Sequence, residues 1–421
     1  MRNHPSEAQS RDGFHDFPLA DADLCVKCAL CLPHCPTYKL SRHEGDSPRG
    51  RIALMQGLAQ GALRPEGKAL PHLDGCLVCR ACEPVCPAEV PYGRLIDAGR
   101  RGLWRSGHRP GWMWRALAFL RRTPRRLAWL TRLVRLADIS GLARLASHLP
   151  LGRVARVSKF IGRTGSPPAH NAAPSEGDKV ALFLGCIARP LDADVLHATV
   201  RLLESMDYAV HVPPAQGCCG AMDMHAGDSG TAAALALQNI AAFAGAATPV
   251  ISTASGCGVQ LKEYEDAQGF PERVTDIMQF IARHADRLPA FVPRDERSDT
   301  RVVVHSPCTL KNGMRESGAL EVLRNVPGLK VEALRHQDCC GAAGSYLFEH
   351  AESADRLGEK LLDALGEDIP DVFVTGNPGC ALHVRRLALL RGLDLKVLHP
   401  VQVLEARLAY NRPHATPAHS D

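Results

Sequence analysis

The second half of the chain carries the clearest pattern of apolar and polar positions. Short apolar runs end in Gly or Pro and then cysteine, with amphipathic stretches between them. Residues 180–190 (VALFLGCIARP) align with 302–312 (VVVHSPCTLKN), 216–221 (QGCCGA) with 337–342 (QDCCGA), and 249–258 (PVISTASGCG) with 371–381 (DVFVTGNPGCA). Continuous apolar runs bounded by turn residues predict strands buried on both faces. Residues 194–206 and 351–365 predict the connecting helices. Each copy therefore reads as a β-α-β-α-β unit around a parallel sheet. Such sheets gather functional groups at the carboxyl ends of their strands. Cys186, Cys218, Cys219 and Cys257 are expected at one rim, and Cys308, Cys339, Cys340 and Cys380 at another.

The first half is patterned as helices and loops. Ser47 followed by Pro48 predicts an N-cap and first helical position, and Ile52, Met55, Leu58 and Ala59 give that helix an apolar face. Further on, Leu127, Leu130, Val134 and Ala137 share one side of a helical wheel, opposite Arg125, Arg132 and Arg135. Residues 166–178, rich in Ser, Pro and Gly, mark a boundary.

Cysteine spacing turns this outline into chemistry. Cys25, Cys28, Cys31 and Cys35 are followed by Pro36; Cys76, Cys79, Cys82 and Cys86 are followed by Pro87. Both read C-x2-C-x2-C-x3-C-P, in which three thiolates grip one cubane and the fourth reaches the neighbouring cluster. This assigns one [4Fe-4S] cluster to Cys25, Cys28, Cys31 and Cys86, and the other to Cys76, Cys79, Cys82 and Cys35. A zinc ribbon pairs CxxC with CxxC and has no use for the third cysteine or the proline. Two clusters that exchange ligands lie close enough to pass single electrons. The long insert between Cys35 and Cys76 predicts a helical two-cluster ferredoxin-type domain, the electron-transfer module of larger dehydrogenases.

The expected organisation is α+β and α/β. A flexible tail (1–20) precedes the two-cluster [4Fe-4S] domain (21–100). A basic Trp-rich helical segment and linker (101–178) leads to two cysteine-rich repeats (179–298 and 299–408) and a second tail (409–421). At 421 residues the chain can build several full cores. Its sixteen cysteines would suggest disulfides in a small secreted protein. Here residues 1–16 are polar with no signal segment, and the longest apolar candidate, 232–247, is broken by Gln238 and Asn239. A reducing cytoplasm, where thiols serve as metal ligands, is the expected compartment.

The formal net charge of +5 hides an asymmetry: residues 94–163 hold seventeen Lys or Arg against Asp97 and Asp138, so the remainder is net acidic. The same segment holds Trp104, Trp112, Trp114 and Trp129. Arginine opposite Trp and Leu is the make-up of helices lying in a membrane interface, which points to peripheral attachment at the inner face of the cell membrane. Docking of an acidic partner and a solvated linker bundle are the competing readings; nothing in the cluster chemistry calls for nucleic acid.

The vicinal Cys-Cys-Gly motifs flanked by single cysteines resemble the cysteine-rich (CCG) domain, duplicated in heterodisulfide reductases and in the iron–sulfur subunits of several flavin dehydrogenases. From about residue 20 to 408 the chain is similar to the iron–sulfur subunit of bacterial glycolate oxidase, a membrane-associated glycolate dehydrogenase. The shared features are the twin cluster loops, residues 47–52 (SPRGRI), 253–258 (TASGCG) followed by Lys262-Glu263-Tyr264, 307–310 (PCTL) and 339–346 (CCGAAGSY). The resemblance implies separate flavin (FAD) subunits that oxidise glycolate to glyoxylate, with this chain carrying electrons toward quinone. No glycine-rich dinucleotide loop is present, which agrees with no flavin on this chain. Subunits of lactate or anaerobic glycerol-3-phosphate dehydrogenases share the architecture. A disulfide reductase and a metal-stabilised scaffold are the rivals from other classes.

The CCG motifs depart from the heterodisulfide reductase pattern. There the motif ends in CxxC and supplies five thiolates; here Gln260 and His383 stand at the last positions. Four cysteines per repeat suffice by count for a further cluster or for zinc, and a vestigial or structural set is the third reading. His383 is a candidate ligand or a packed core residue. His34 could tune a cluster, and His305 and His336 could take protons at a quinone site, against ordinary packing for each.

Overall fold

The computed structural model describes residues 13–123, 126, 129, 165–168, 178–245, 247–265, 269–292, 299–335 and 339–409. The N-terminal region is built as its polar pattern requires. Helix α1 (Pro48–Ala59) starts with Ser47 Oγ accepting the Gly50 N–H at 2.9 Å and Pro48 at the first helical position. Its Ile52, Met55 and Leu58 are buried against Leu95, Ile96 and Leu103 of α2 (Tyr92–Arg105). Gly99 permits this crossing, since a Cβ there would lie 2.4 Å from Met55 Sδ.

Helix α3 (Trp112–Arg121) follows. Its inner side buries Trp114, which donates from Nε1 to Met222 O at 3.4 Å and meets Trp104 edge to face. Trp112 and Phe119 face outward, 70% and 59% exposed. The four tryptophans therefore do not form one face: Trp114 is core, while Trp112 and Trp129 are on the surface. The wheel formed by Leu127, Leu130, Val134 and Ala137 against Arg125, Arg132 and Arg135 lies outside the described residues. Among the described residues no helix is long and apolar enough to cross a membrane.

Each cysteine-rich repeat is a parallel four-stranded sheet. In the first, β1 (Lys179–Phe183), β2 (Ala209–His211), β3 (Val250–Ser252) and β4 (Val274–Asp276) take the order β2-β1-β3-β4. In the second, β5 (Thr300–His305), β6 (Leu329–Ala333), β7 (Val372–Thr375) and β8 (Lys396–Leu398) repeat it as β6-β5-β7-β8. The β-α-β-α-β unit is present in both, with a fourth strand added at β4 and β8. Both lie beyond the apolar runs that repeat between the two halves.

Val180, Leu182, Ile251, Val302, Val304 and Val374 from both sheets meet Leu196, Leu203, Ile281, Val401 and Leu404 in a single core. Each such buried side chain contributes about 1.5–3 kcal/mol, so the repeats hold one another in place. This fixes the distance between their cysteine rims.

Candidate functional site

The two N-terminal cysteine loops share one backbone solution. Lys27 and Ala29 flank Cys28 with φ of 57° and 72°, and Val78 and Arg80 flank Cys79 with φ of 50° and 56°. The left-handed region disfavours side chains, and most of all a β-branched one such as Val78. Strain of this kind, about 1–3 kcal/mol per residue, persists where the surroundings over-determine it, characteristically at functional sites. Here it turns the chain around the second cysteine so that its neighbours face a common centre.

The thiols gather as the spacing pairs them. Cys25, Cys28, Cys31 and Cys86 line one cleft, beside Arg49. Cys35, Cys76, Cys79 and Cys82 line another, beside Arg51 and Tyr92. In each cleft three cysteines come from one loop and one from the other. Cys28 is exposed, whereas Cys35, Cys76 and Cys82 are buried. Burial pushes the Cys79 and Cys82 thiols well above their ordinary value. Four neighbouring thiols can give up their protons to a bound metal, so the donor set fits a bound cluster.

Sequence reasoning passed over Arg51 as a site residue. It is 1% exposed and donates from Nε to His72 O at 2.6 Å, and from Nη1 to Asp46 O at 2.5 Å and Thr37 Oγ1 at 2.9 Å, with Cys35 Sγ at 4.0 Å. One guanidinium thus ties the segment after Cys35 to the segment before Cys76. The SPRGRI motif contained the residue; the partners were not readable from it.

The second cleft abuts the second repeat. Asn312 Nδ2 donates to Cys79 O at 2.9 Å, and Leu77 packs with Cys339, Tyr346 and Leu357 while Cys79 and Cys308 border the same cluster. After burial, the neighbouring Cys308 is the next cause that raises the Cys79 thiol. In this repeat Cys308, Cys339, Cys340 and Cys380 converge, with Cys340 Sγ 2.7 Å from Cys380 Sγ and Cys308 hydrogen-bonded to Cys339.

In the first repeat Cys186 Sγ lies 3.4 Å from Cys218 Sγ, and Cys219 bonds to both Cys218 and Cys257. Hydrogen bonds from Cys186 and Cys219, and then the charge of Arg121, pull Cys218 well below the ordinary thiol value. Both sets sit past the carboxyl ends of their strands. Helix α4 (Ser255–Lys262), which carries Cys257, packs on the wide turn Thr309–Met314 that begins after Cys308, with Ser255 Oγ 2.7 Å from Thr309 Oγ1.

The histidines are placed differently from the cysteines. His383 is buried with both ring nitrogens engaged, Nδ1 with Cys340 O at 2.7 Å and Nε2 with Asp355 Oδ1 at 3.2 Å. It braces the Cys-Cys turn and is not open to a metal. His305 is buried, bonded to Thr375 Oγ1 and stacked on Phe373, and His34 is exposed on a short turn. His336 lies outside the described residues.

Paired cysteine clefts on a helical domain, joined to two sheets that each present a vicinal Cys-Cys turn, define an iron–sulfur protein with a duplicated cysteine-rich domain. Residues 21–90 match the 4Fe-4S dicluster domain, and residues 180–262 and 302–385 match the cysteine-rich domain. The chain is 32% identical to the probable glycolate oxidase iron-sulfur subunit of Bacillus subtilis, over 89% of this chain and 90% of that one. It is 30% identical to the glycolate oxidase iron-sulfur subunit of Escherichia coli, over 91% and 93%. A fumarate reductase (CoM/CoB) chain of Methanothermobacter marburgensis is 28% identical over 92% and 72%. The chain belongs to the family of glycolate oxidase iron-sulfur subunits, and is a subunit of an oxidoreductase complex.

Proposed function

We propose that the chain is the electron-transfer subunit of a flavin-dependent glycolate dehydrogenase, taking electrons from FAD-bearing partner subunits that convert glycolate to glyoxylate and delivering them toward quinone. The [4Fe-4S] clusters of the two clefts, once bound, supply one-electron transfer. The cleft of Cys25, Cys28, Cys31 and Cys86 reaches the surface at Cys28, where a partner can approach. The cleft of Cys35, Cys76, Cys79 and Cys82 faces inward, against Cys308 and Cys339. That contact between the inner cleft and the second cysteine repeat is the observation that carries the reading, because it joins cysteine sites from distant parts of the sequence into one row. Four thiols at Cys308, Cys339, Cys340 and Cys380 make the repeat a further metal centre in that row.

Attachment to an anionic membrane surface belongs to the same proposal. Helix α3 turns Trp112, Arg115 and Phe119 outward, and beyond it Arg126 lies over the Phe119 ring at 4.0 Å. No acidic residue occurs between Asp97 and Asp138. Exposed aromatic rings with arginine and no acid suit the headgroup layer of an anionic leaflet.

Cys28→Ala tests the relay. In the complete complex it should bleach one cluster and abolish quinone-linked glycolate oxidation, while oxidation measured with a dye that takes electrons directly from the flavin subunits persists. Unchanged quinone-linked turnover would remove the assignment.

A further inference from the structure

The two cysteine repeats match in sequence but not in surroundings. In the second, the four thiols are flanked by one another and by Cys79 of the N-terminal domain. In the first, the end of α3 inserts an arginine. Arg121, 2% exposed overall, places Nη1 3.2 Å from Cys218 Sγ and Nη2 2.5 Å from Asp223 Oδ1, whose side chain is fully buried. Arg122 also reaches Asp223, at 2.8 Å, and Asp228 at 3.0 Å, so the Asp223 charge is shared and Arg121 keeps a donor for the sulfur. On the other side Arg189 has a buried Nε with no hydrogen-bond partner among the described residues, close to Cys186. One guanidinium thus lies against Cys218 and a second near Cys186, and a buried donor left over between them fits a site built for an anionic centre.

The position in the row of cysteine sites matters as much as the charge. Cys79 lies beside Cys308; the turn after Cys308 packs on the helix bearing Cys257; and Cys257 connects through Cys219 to Cys218 and Cys186. Arg121 stands where this series of contacts from Cys79 ends, on the helix whose other side carries Trp112 and Phe119.

We propose that Arg121 is a positioning residue that holds Cys218 toward a metal–thiolate centre in the first repeat and raises that centre's reduction potential, making it the electron-accepting end of the row. The inference rests on the relay reading above. Reduction adds one electron, and so one negative charge, to a tetrathiolate centre. A buried guanidinium donating to a ligand sulfur stabilises that added charge more than it stabilises the oxidised form, and hydrogen bonds to sulfur are among the features that set cluster potentials. The second repeat has its neighbouring thiols in that place.

The test uses the full chain purified anaerobically, with iron and zinc analysis and an EPR-monitored dithionite titration. Cys218→Ser should lower iron per chain and remove one titrating centre. Arg121→Gln should keep the iron and move one midpoint to lower potential, leaving the others in place. Arg121→Lys, which restores the charge, should bring that midpoint back most of the way. An Arg121→Gln protein with full iron and unmoved midpoints overturns the role of Arg121 while leaving the relay standing, and so does an Arg121→Lys protein shifted as far as Arg121→Gln. Unchanged iron in Cys218→Ser, or zinc in place of iron in the first repeat, overturns the centre itself.

Discussion

Arg51 gives the sharpest test of how the inner cleft is held. Replacement by Met keeps most of the buried volume but removes the donors that His72 O, Asp46 O and Thr37 Oγ1 now receive. Each buried acceptor left unsatisfied costs about 1–3 kcal/mol, and the losses do not simply add. Removing one member of a buried charged network typically costs about 3–5 kcal/mol. The same change frees the segment bearing Cys35 from the segment before Cys76, so the cleft of Cys35, Cys76, Cys79 and Cys82 should open. Arg51→Met is therefore expected to destabilise the N-terminal domain by about 3–5 kcal/mol, and to lose iron from the inner cleft while Cys25, Cys28, Cys31 and Cys86 keep theirs. Arg51→Lys retains the charge without the planar fork and should fall between. Anaerobic urea unfolding with iron analysis reads both effects. A stability within about 1 kcal/mol of the parent, with the full iron complement, would refute the clamp.

Three further predictions rest on buried groups and one turn. Burial pushes His399 down to about 4; the unfolded chain takes up its proton at higher pH, so the contribution is complete above about 6.5 and lost as pH falls through about 4, at most roughly 3 kcal/mol. His399→Gln should flatten that acid limb in thermal unfolding. Burial raises Asp276 to about 7; here the folded state holds the extra proton, so stability falls as pH rises from the ordinary carboxylate range through 7, and Asp276→Asn should raise the Tm at pH 8 more than at pH 5. Gly341 has a φ of 81°, and a Cβ there would lie 2.4 Å from Ala354 O, so Gly341→Ala should destabilise the second repeat by roughly 2 kcal/mol or more and displace Cys340, measured by unfolding and by metal content.

The features legible in the sequence were those carried by short-range spacing. The C-x2-C-x2-C-x3-C-P loops implied a shared pair of sites because ligand spacing is a local property, and the structure brings those eight cysteines into two clefts. The repeated apolar runs gave two parallel sheets; β4 and β8 were missed because they lie beyond the segments that match between the repeats. Long-range contacts had no local signal. Asn312 and Cys79 are 233 residues apart, and nothing near either announces the other. Arg121 sits in an arginine-rich run that reads as a membrane-facing, partner-docking or solvated surface, and only the fold distinguishes the residue turned inward to Cys218 from its exposed neighbours. His383 was open between a ligand and a packed core residue from its spacing to Cys380, and the fold decides for packing: hydrogen bonds to Cys340 O and Asp355 occupy both nitrogens.

Substrate-dependent bleaching reads out whether this chain relays electrons drawn from a 2-hydroxy acid by flavin partners. The complex should be captured anaerobically from its native host through this chain, and its iron–sulfur absorbance followed on addition of glycolate, lactate or glycerol 3-phosphate. Flavin subunits are expected in the complex, and bleaching by glycolate. Bleaching by lactate or glycerol 3-phosphate alone would contradict the substrate, and no flavin partner with no bleaching by any of the three would contradict the relay itself.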